Sequence, residues 1–138
     1  MERKAQCMCG KLTIQVRGDP SITLACNCQN CQRRTGSVFG VGAYFDNHKI
    51  TGREGTPKSF RVATESGNSV TTYFCSNCGS TLYIEAEMFT GMTGIPVGCF
   101  TDPGFPEPTL SAWNQSKYDW VQFPEHWLKL EKQAPNKS

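Results

Sequence analysis

The chain has 138 residues, with 14 Lys and Arg against 12 Asp and Glu and a formal net charge of +2. That length fits one domain of ordinary size, and 38% apolar residues with 3 Trp, 4 Tyr and 8 Phe can build a core without oligomerisation. No basic run appears, so neither nucleic acid nor a membrane is an expected partner, and no segment approaches the roughly 20 apolar residues of a membrane span.

Met1 to Gln6 runs into Cys7 with no apolar stretch, so no signal peptide is visible and the cytoplasm is the expected location. Leu12, Ile14 and Val16 alternate with polar residues, a half-buried strand stopped by Gly18-Asp19-Pro20. Ile22 to Ala25 is a second short strand leading into Cys26, and a turn or two of helix begins near Cys28 and ends at Gly36. Val38 to Phe45 is a strand in which Gly40 and Gly42 mark a bulge or a close backbone approach. Ser59 to Ala63 and Ser69 to Phe74 flank Thr64-Glu65-Ser66-Gly67-Asn68 as a hairpin. Thr81 to Glu85 is a strand, Glu85 to Phe89 a short helical piece, and Ile95 to Phe100 and Leu110 to Trp113 two further strands. Residues 130 to 138 read as a frayed tail. No repeat, linker or composition break divides the chain, so residues 1 to 138 form a single domain in this reading, mainly β and built of packed sheets.

Seven of the eight cysteines fall into three groups: Cys7-Met8-Cys9-Gly10, Cys26-Asn27-Cys28-Gln29-Asn30-Cys31 and Cys75-Ser76-Asn77-Cys78-Gly79. C-x-C and C-x-x-C spacings place two sulfurs close enough to share a tetrahedral zinc. Neighbours in C-x-C bridge poorly as disulfides, and a cytosolic setting disfavours disulfides further, so zinc is the expected cofactor, as two ions per chain. Cys9 and Cys78 are each followed by Gly, which lets the backbone turn with φ > 0 and aim N–H groups at the sulfurs. Two such knuckles face to face would make a closed, structural site from Cys7, Cys9, Cys75 and Cys78.

The remaining trio, Cys26, Cys28 and Cys31, supplies three thiolates, the pattern of a catalytic zinc with one open position. Cys31 would lie in the first helical turn, where the dipole favours thiolate, with Arg33 and Arg34 nearby. The alternative is a second stabilising zinc whose fourth ligand is Cys99 or a distant side chain. Cys99 itself, in the apolar run Val97-Gly98-Cys99-Phe100, reads as a buried inert thiol.

In this order, with Arg33-Arg34-Thr35-Gly36-Ser37 after the trio and Phe74-Cys75-x-x-Cys78-Gly79-Ser80-x-Leu82-Tyr83 later, the chain resembles the glutathione-dependent formaldehyde-activating (GFA) enzymes and the related domain of centromere protein V. Gly98 to Pro103 and Trp113 to Trp120 resemble them too. The resemblance implies a mainly β, Mss4-like fold of packed, coiled sheets with two zinc sites. It implies that Cys7, Cys9, Cys75 and Cys78 hold the structural ion and Cys26, Cys28 and Cys31 the catalytic one. Its implied reaction is condensation of formaldehyde with glutathione to S-hydroxymethylglutathione, of the carbon–sulfur lyase class. Two departures are visible. Asn27 stands where many members have His, and the chain is shorter than the members named for the glutathione reaction.

An open site of three thiolates could hold a substrate thiol as thiolate for attack on a small carbonyl. Ser37 with Arg33 or Arg34 could meet the carboxylates of a glutathione-like ligand, although an exposed helix face is the plainer expectation. His48 and His126 lie outside every cysteine group and read as surface residues. Trp113, Tyr118 and Trp120 could line a pocket or pack a core. Besides an enzyme, the sequence admits a non-catalytic zinc-binding interaction module or a thiol redox sensor at the trio.

Overall fold

Alternation of apolar and polar residues sets the first layer of the computed structural model, which describes residues 1–133. β1 (Glu2–Gln6) pairs antiparallel with β2 (Thr13–Arg17), with Ala5 opposite Ile14 and Arg3 opposite Val16. Ile14 and Val16 are fully buried, whereas Gln15 and Arg17 face solvent. β3 (Ile22–Cys26) leads into α1 (Gln29–Thr35), and β4 (Gly40–Asp46) is followed by a 3-10 turn at Asn47–Lys49. β5 (Ile50–Glu54) then returns to β2, closing a sheet of order β1-β2-β5.

The next strands are β6 (Lys58–Ala63), β7 (Ser69–Phe74), β8 (Thr81–Ala86), β9 (Met92–Pro96), β10 (Leu110–Ala112) and β11 (Leu128–Lys129). With β3 and β4 they make a second sheet of order β11-β10-β3-β4-β9-β8-β7-β6. The β6–β7 hairpin turns through Gly67 at φ +91° and is closed by Thr64 N–H to Asn68 O at 2.7 Å.

Residues paired across strands share a face, so register decides what meets what. Cys26 lies opposite Gly40, Leu24 opposite Gly42, Tyr44 opposite Gly94, Gly94 opposite Ile84, Ile84 opposite Thr72 and Thr72 opposite Phe60. That row crosses one face of the large sheet. On the other face, Ala43, Phe45 and Ile95 pack with Ala5, Leu12, Ile14 and Val16 of the small sheet and with Phe100 and Phe105. Ile14, Val16, Phe45 and Ile95 are fully buried, each worth about 1.5–3 kcal/mol of hydrophobic transfer. The first face carries a second cluster of Leu24, Ala86, Phe89, Met92, Leu110 and Ala112.

The mainly β architecture of packed sheets agrees with the sequence reading, and so does the helix from Gln29 to its left-handed cap at Gly36. Some elements differ. Ile95 to Phe100 is not one strand: β9 ends at Pro96, which has no N–H for the ladder, and Val97–Phe100 is a 3-10 turn closed by Thr101 N–H to Gly98 O at 3.1 Å. The strand expected to reach Trp113 stops at Ala112, because Trp113 is left-handed at φ +56°. The helical piece after β8 is confined to a 3-10 turn at Glu87–Phe89. In the stretch read as a tail, Leu130 N–H bonds Ser111 O, and Lys132 O accepts from Trp113 N–H; residues 134–138 lie outside the described residues. Among the described residues no helix is long and apolar enough to cross a membrane.

Candidate metal centres and their cleft

Two knuckles of the same construction face each other. In one, Cys7 N–H bonds Leu12 O at 3.0 Å and Gly10 N–H bonds Cys7 O at 3.1 Å. In the other, Cys75 N–H bonds Ser80 O at 3.0 Å and Gly79 N–H bonds Cys75 O at 2.8 Å. Gly10 and Gly79 adopt φ +82° and +81°, where a side chain is strained. The sulfurs of Cys7, Cys9, Cys75 and Cys78 all lie within 4.8 Å of one another, with Cys7–Cys9 and Cys9–Cys75 both at 3.7 Å.

Donors surround this quartet. Leu12 N–H points at Cys7 Sγ at 3.3 Å, and Asn77 N–H at Cys75 Sγ at 3.4 Å. The Ser80 hydroxyl lies 3.4 Å from Cys78 Sγ and accepts from Met8 N–H at 3.1 Å, linking the knuckles. Ser80, through its hydroxyl first and then its N–H, holds the Cys78 thiol down at about 5. Such donors favour sulfur as thiolate, the form that binds metal.

The second group is local. Cys26 ends β3, Cys28 caps α1 and Cys31 stands in its first turn, and their sulfurs lie within 4.8 Å of one another. Cys31 N–H donates to Cys28 Sγ at 3.3 Å. Hydrogen bonds from Cys26 and Cys31 hold the Cys28 thiol down at about 3, while contacts with Cys28 and Cys31, and then burial, push Cys26 up. These contacts favour the thiolate at Cys28 first among the three. No fourth Cys, His, Asp or Glu joins this group among the described residues.

The loop holding the trio is fastened at several points. Asn27, fully buried, gives both its backbone N–H (3.0 Å) and Nδ2 (2.9 Å) to Ala112 O. Gln32 Nε2 bonds Asn27 O at 2.8 Å and Ser116 O at 3.1 Å, and Thr35 Oγ1 bonds Cys31 O at 2.8 Å. Asn27 thus ties the loop to β10 and faces inward. Cys99 joins neither group. It sits half-buried in the Val97–Phe100 turn and donates its S–H to Thr81 O at 3.5 Å, and burial raises its thiol.

Beside the trio lies a cleft of about 880 Å³ on the face of the large sheet that bears Cys26. Gly40 and Gly42 form part of its floor; a Cβ at Gly40 would stand 2.8 Å from the Arg34 guanidinium, so that side chain folds back against the strand. The bulge or close backbone approach expected at Gly40 is instead the approach of a side chain, that of Arg34. Tyr44 also lines the cleft, its ring against Phe89 at 4.5 Å and over Gly94, where a Cβ would come within 2.5 Å of it. Burial first, then the charges of Cys31 and Cys26, pushes the Tyr44 phenol above its ordinary range. Sequence reasoning missed Tyr44. The available signal was Gly40, Gly42 and Tyr44 at two-residue spacing on one face of a strand.

The other residues considered from sequence divide. Arg33, Arg34 and Trp113 line the cleft. Ser37 and His48 are exposed away from it, and His126 is exposed 3.3 Å from Glu107. Tyr118 and Trp120 are exposed and meet edge to face.

The family model described as glutathione-dependent formaldehyde-activating enzyme matches residues 2–116. Curated relatives from Aspergillus flavus and Aspergillus oryzae, provisionally named glutathione-dependent formaldehyde-activating enzymes, are each 22% identical over 115 residues. The match covers 80% of this chain and 59% of each relative, so the chain spans under two thirds of their length. A crystal structure of a Rhodobacter sphaeroides protein from Northeast Structural Genomics superimposes with TM-score 0.56 at 19% identity, over 75% of this chain and 90% of that one. That likeness shows a shared fold.

Proposed function

The chain belongs to the glutathione-dependent formaldehyde-activating family, and from that premise we propose that it is a zinc-dependent carbon–sulfur lyase of that type. It would join a thiol such as glutathione to formaldehyde or a related small carbonyl. One observation carries the reading: three sulfurs within 4.8 Å, with no fourth protein ligand among the described residues, open onto a cleft.

The donor sets fit zinc. A regular tetrahedron of sulfurs at the Zn–S distance of about 2.3 Å has edges of about 3.8 Å, and the measured Cys7–Cys9 and Cys9–Cys75 separations are 3.7 Å. Cys7, Cys9, Cys75 and Cys78 would hold a structural ion whose binding free energy is folding free energy. Cys26, Cys28 and Cys31 would hold the catalytic ion. Zinc there supplies a position at which a substrate sulfur is kept as thiolate at neutral pH, a better role than water activation for an ion with three anionic ligands.

The chain's own residues do the rest. Arg34, folded against Gly40, offers its guanidinium to a ligand carboxylate. Tyr44 keeps its proton and can give a hydrogen bond to the carbonyl oxygen as the C–S bond forms. Asn27 and Gln32 hold the trio's loop so that little reorganisation accompanies ligand entry. On this reading residues 1–138 form one Mss4-like domain, working in the cytoplasm where glutathione is abundant.

Exchange NMR of glutathione with labelled formaldehyde tests the proposal. Catalytic amounts of zinc-loaded chain should speed adduct exchange, and Cys28→Ala should abolish the effect. An exchange rate unchanged by the wild-type chain would refute it.

A further inference from the structure

The cleft has two kinds of wall. From α1 come Gln29, Asn30, Arg33 and Arg34. From the far end of the sheet and the turn after β8 come Phe60, Val62, Val70, Met88 and Phe89, with Thr64, Glu65 and Ser66 of the β6–β7 turn at the outer edge. The cationic wall suits the carboxylates of a glutathione-like thiol. The apolar wall has no counterpart in glutathione, and formaldehyde has no hydrocarbon to place on it. Phe60 is 62% exposed, and an apolar surface beside a polar rim marks a place that binds something apolar.

Register explains why that wall belongs to the same site. Phe60, Thr72, Ile84, Gly94 and Tyr44 form one cross-strand row, and the neighbouring strand pair carries Gly40 and Cys26. Val70, Met88 and Phe89 pack in one apolar cluster with Tyr44 and Cys26, so a group held on them lies on the sheet face that carries Cys26. Gly42 keeps the floor low beside the Tyr44 ring, which covers Gly94, and the volume of about 880 Å³ is far more than a one-carbon aldehyde needs.

Resting on the thiol–carbonyl reading above, we propose that the carbonyl partner of this chain is an apolar aldehyde, carrying an alkyl or aryl group of about six carbons seated against Val70, Met88 and Phe89. The step needs no further reactant. The thiol sulfur adds to the carbonyl carbon, one C–S bond forms, the π pair passes to oxygen, and the thiol proton ends on that oxygen. The product is a hemithioacetal and nothing is oxidised.

Stable thioethers test the wall without turnover. S-methylglutathione and S-hexylglutathione, which mimic adducts of a short and a long aldehyde, are titrated into the zinc-loaded chain by calorimetry. A fully buried methylene is worth roughly fourfold in affinity, so partial burial of the chain should make S-hexylglutathione bind at least about 30-fold tighter. Val70→Asp, and independently Met88→Ser at a partly buried position, should each reduce that ratio to below about threefold. Equal affinity of the two thioethers for the wild-type chain overturns the inference and leaves the thiol–carbonyl reading standing. If neither thioether binds, 1-hexanethiol separates the cases: binding sensitive to Val70→Asp supports the apolar wall and removes glutathione, and no binding overturns the inference.

Discussion

Cys9 and Cys75 bring their sulfurs to 3.7 Å of each other although 66 positions separate them in the chain. Cys9 follows β1 and Cys75 follows β7, so this contact pins the small sheet to the large one. On the face opposite the cleft, Cys7 and Cys75 are buried within the core of Ile14, Phe45 and Ile95. The trio, by contrast, fastens only a loop to its neighbours. Cys75→Ala should therefore leave little folded chain, whereas Cys28→Ala should stay folded with one zinc fewer. Circular dichroism together with zinc per chain reads both outcomes.

Tyr44 should matter to chemistry more than to assembly. Tyr44→Phe keeps the ring on Gly94 and removes only the O–H; turnover should fall by about 100-fold with both zinc ions retained. Because burial and the charges of Cys31 and Cys26 raise this phenol, its contribution to stability is intact below the unfolded value of about 10 and is lost as pH rises beyond it. Tyr44→Phe should accordingly lessen the loss of stability above pH of about 10, measured by urea unfolding across that range.

Two glycines under the cleft should respond in opposite ways. At Gly94 a Cβ would meet the Tyr44 ring at 2.5 Å, and that ring is wedged against Phe89. Gly94→Ala should cost about 1–3 kcal/mol, much of it recovered in the double variant with Tyr44→Leu. At Gly40 the Cβ would meet the mobile end of Arg34 at 2.8 Å. Gly40→Ala should leave the melting temperature within a few degrees of wild type while weakening glutathione binding to the level of Arg34→Ala. Thermal melts and calorimetric titration of the four variants check both claims.

Asn27 carries a load its neighbours cannot. Fully buried, it sends two hydrogen bonds to Ala112 O. Asn27→Ala should destabilise the chain by about 1–3 kcal/mol and loosen the trio, seen as faster loss of one zinc to a chelator while the other stays put.

Local features were legible in the sequence and assembled ones were not. Both knuckles and the trio could be read because their ligands sit two or three positions apart, and Gly10, Gly36 and Gly79 mark turns that only a left-handed residue makes easily. β1 was not legible: Glu2, Arg3, Lys4 and Gln6 hide a strand whose one fully buried residue is Ala5, supported entirely by pairing with β2. β5 likewise has Ile50 as its apolar anchor. Val97 to Phe100 looked like strand because its apolar run satisfies period two, yet Pro96 removes the ladder donor. The cleft was the least accessible, since Cys26, Tyr44, Ile84 and Phe60 lie on separate strands and meet through register alone.

The central claim is that one cysteine group saturates its ion and the other leaves room for a substrate sulfur. Cobalt substitution followed by glutathione titration tests this directly, because sulfur-to-cobalt charge-transfer bands report the number of thiolates on each ion. The account predicts that half of the bound cobalt gains a thiolate as glutathione is added, and that Cys28→Ala removes the response. A spectrum of two four-sulfur sites before any glutathione, or one that millimolar glutathione leaves untouched, would contradict it.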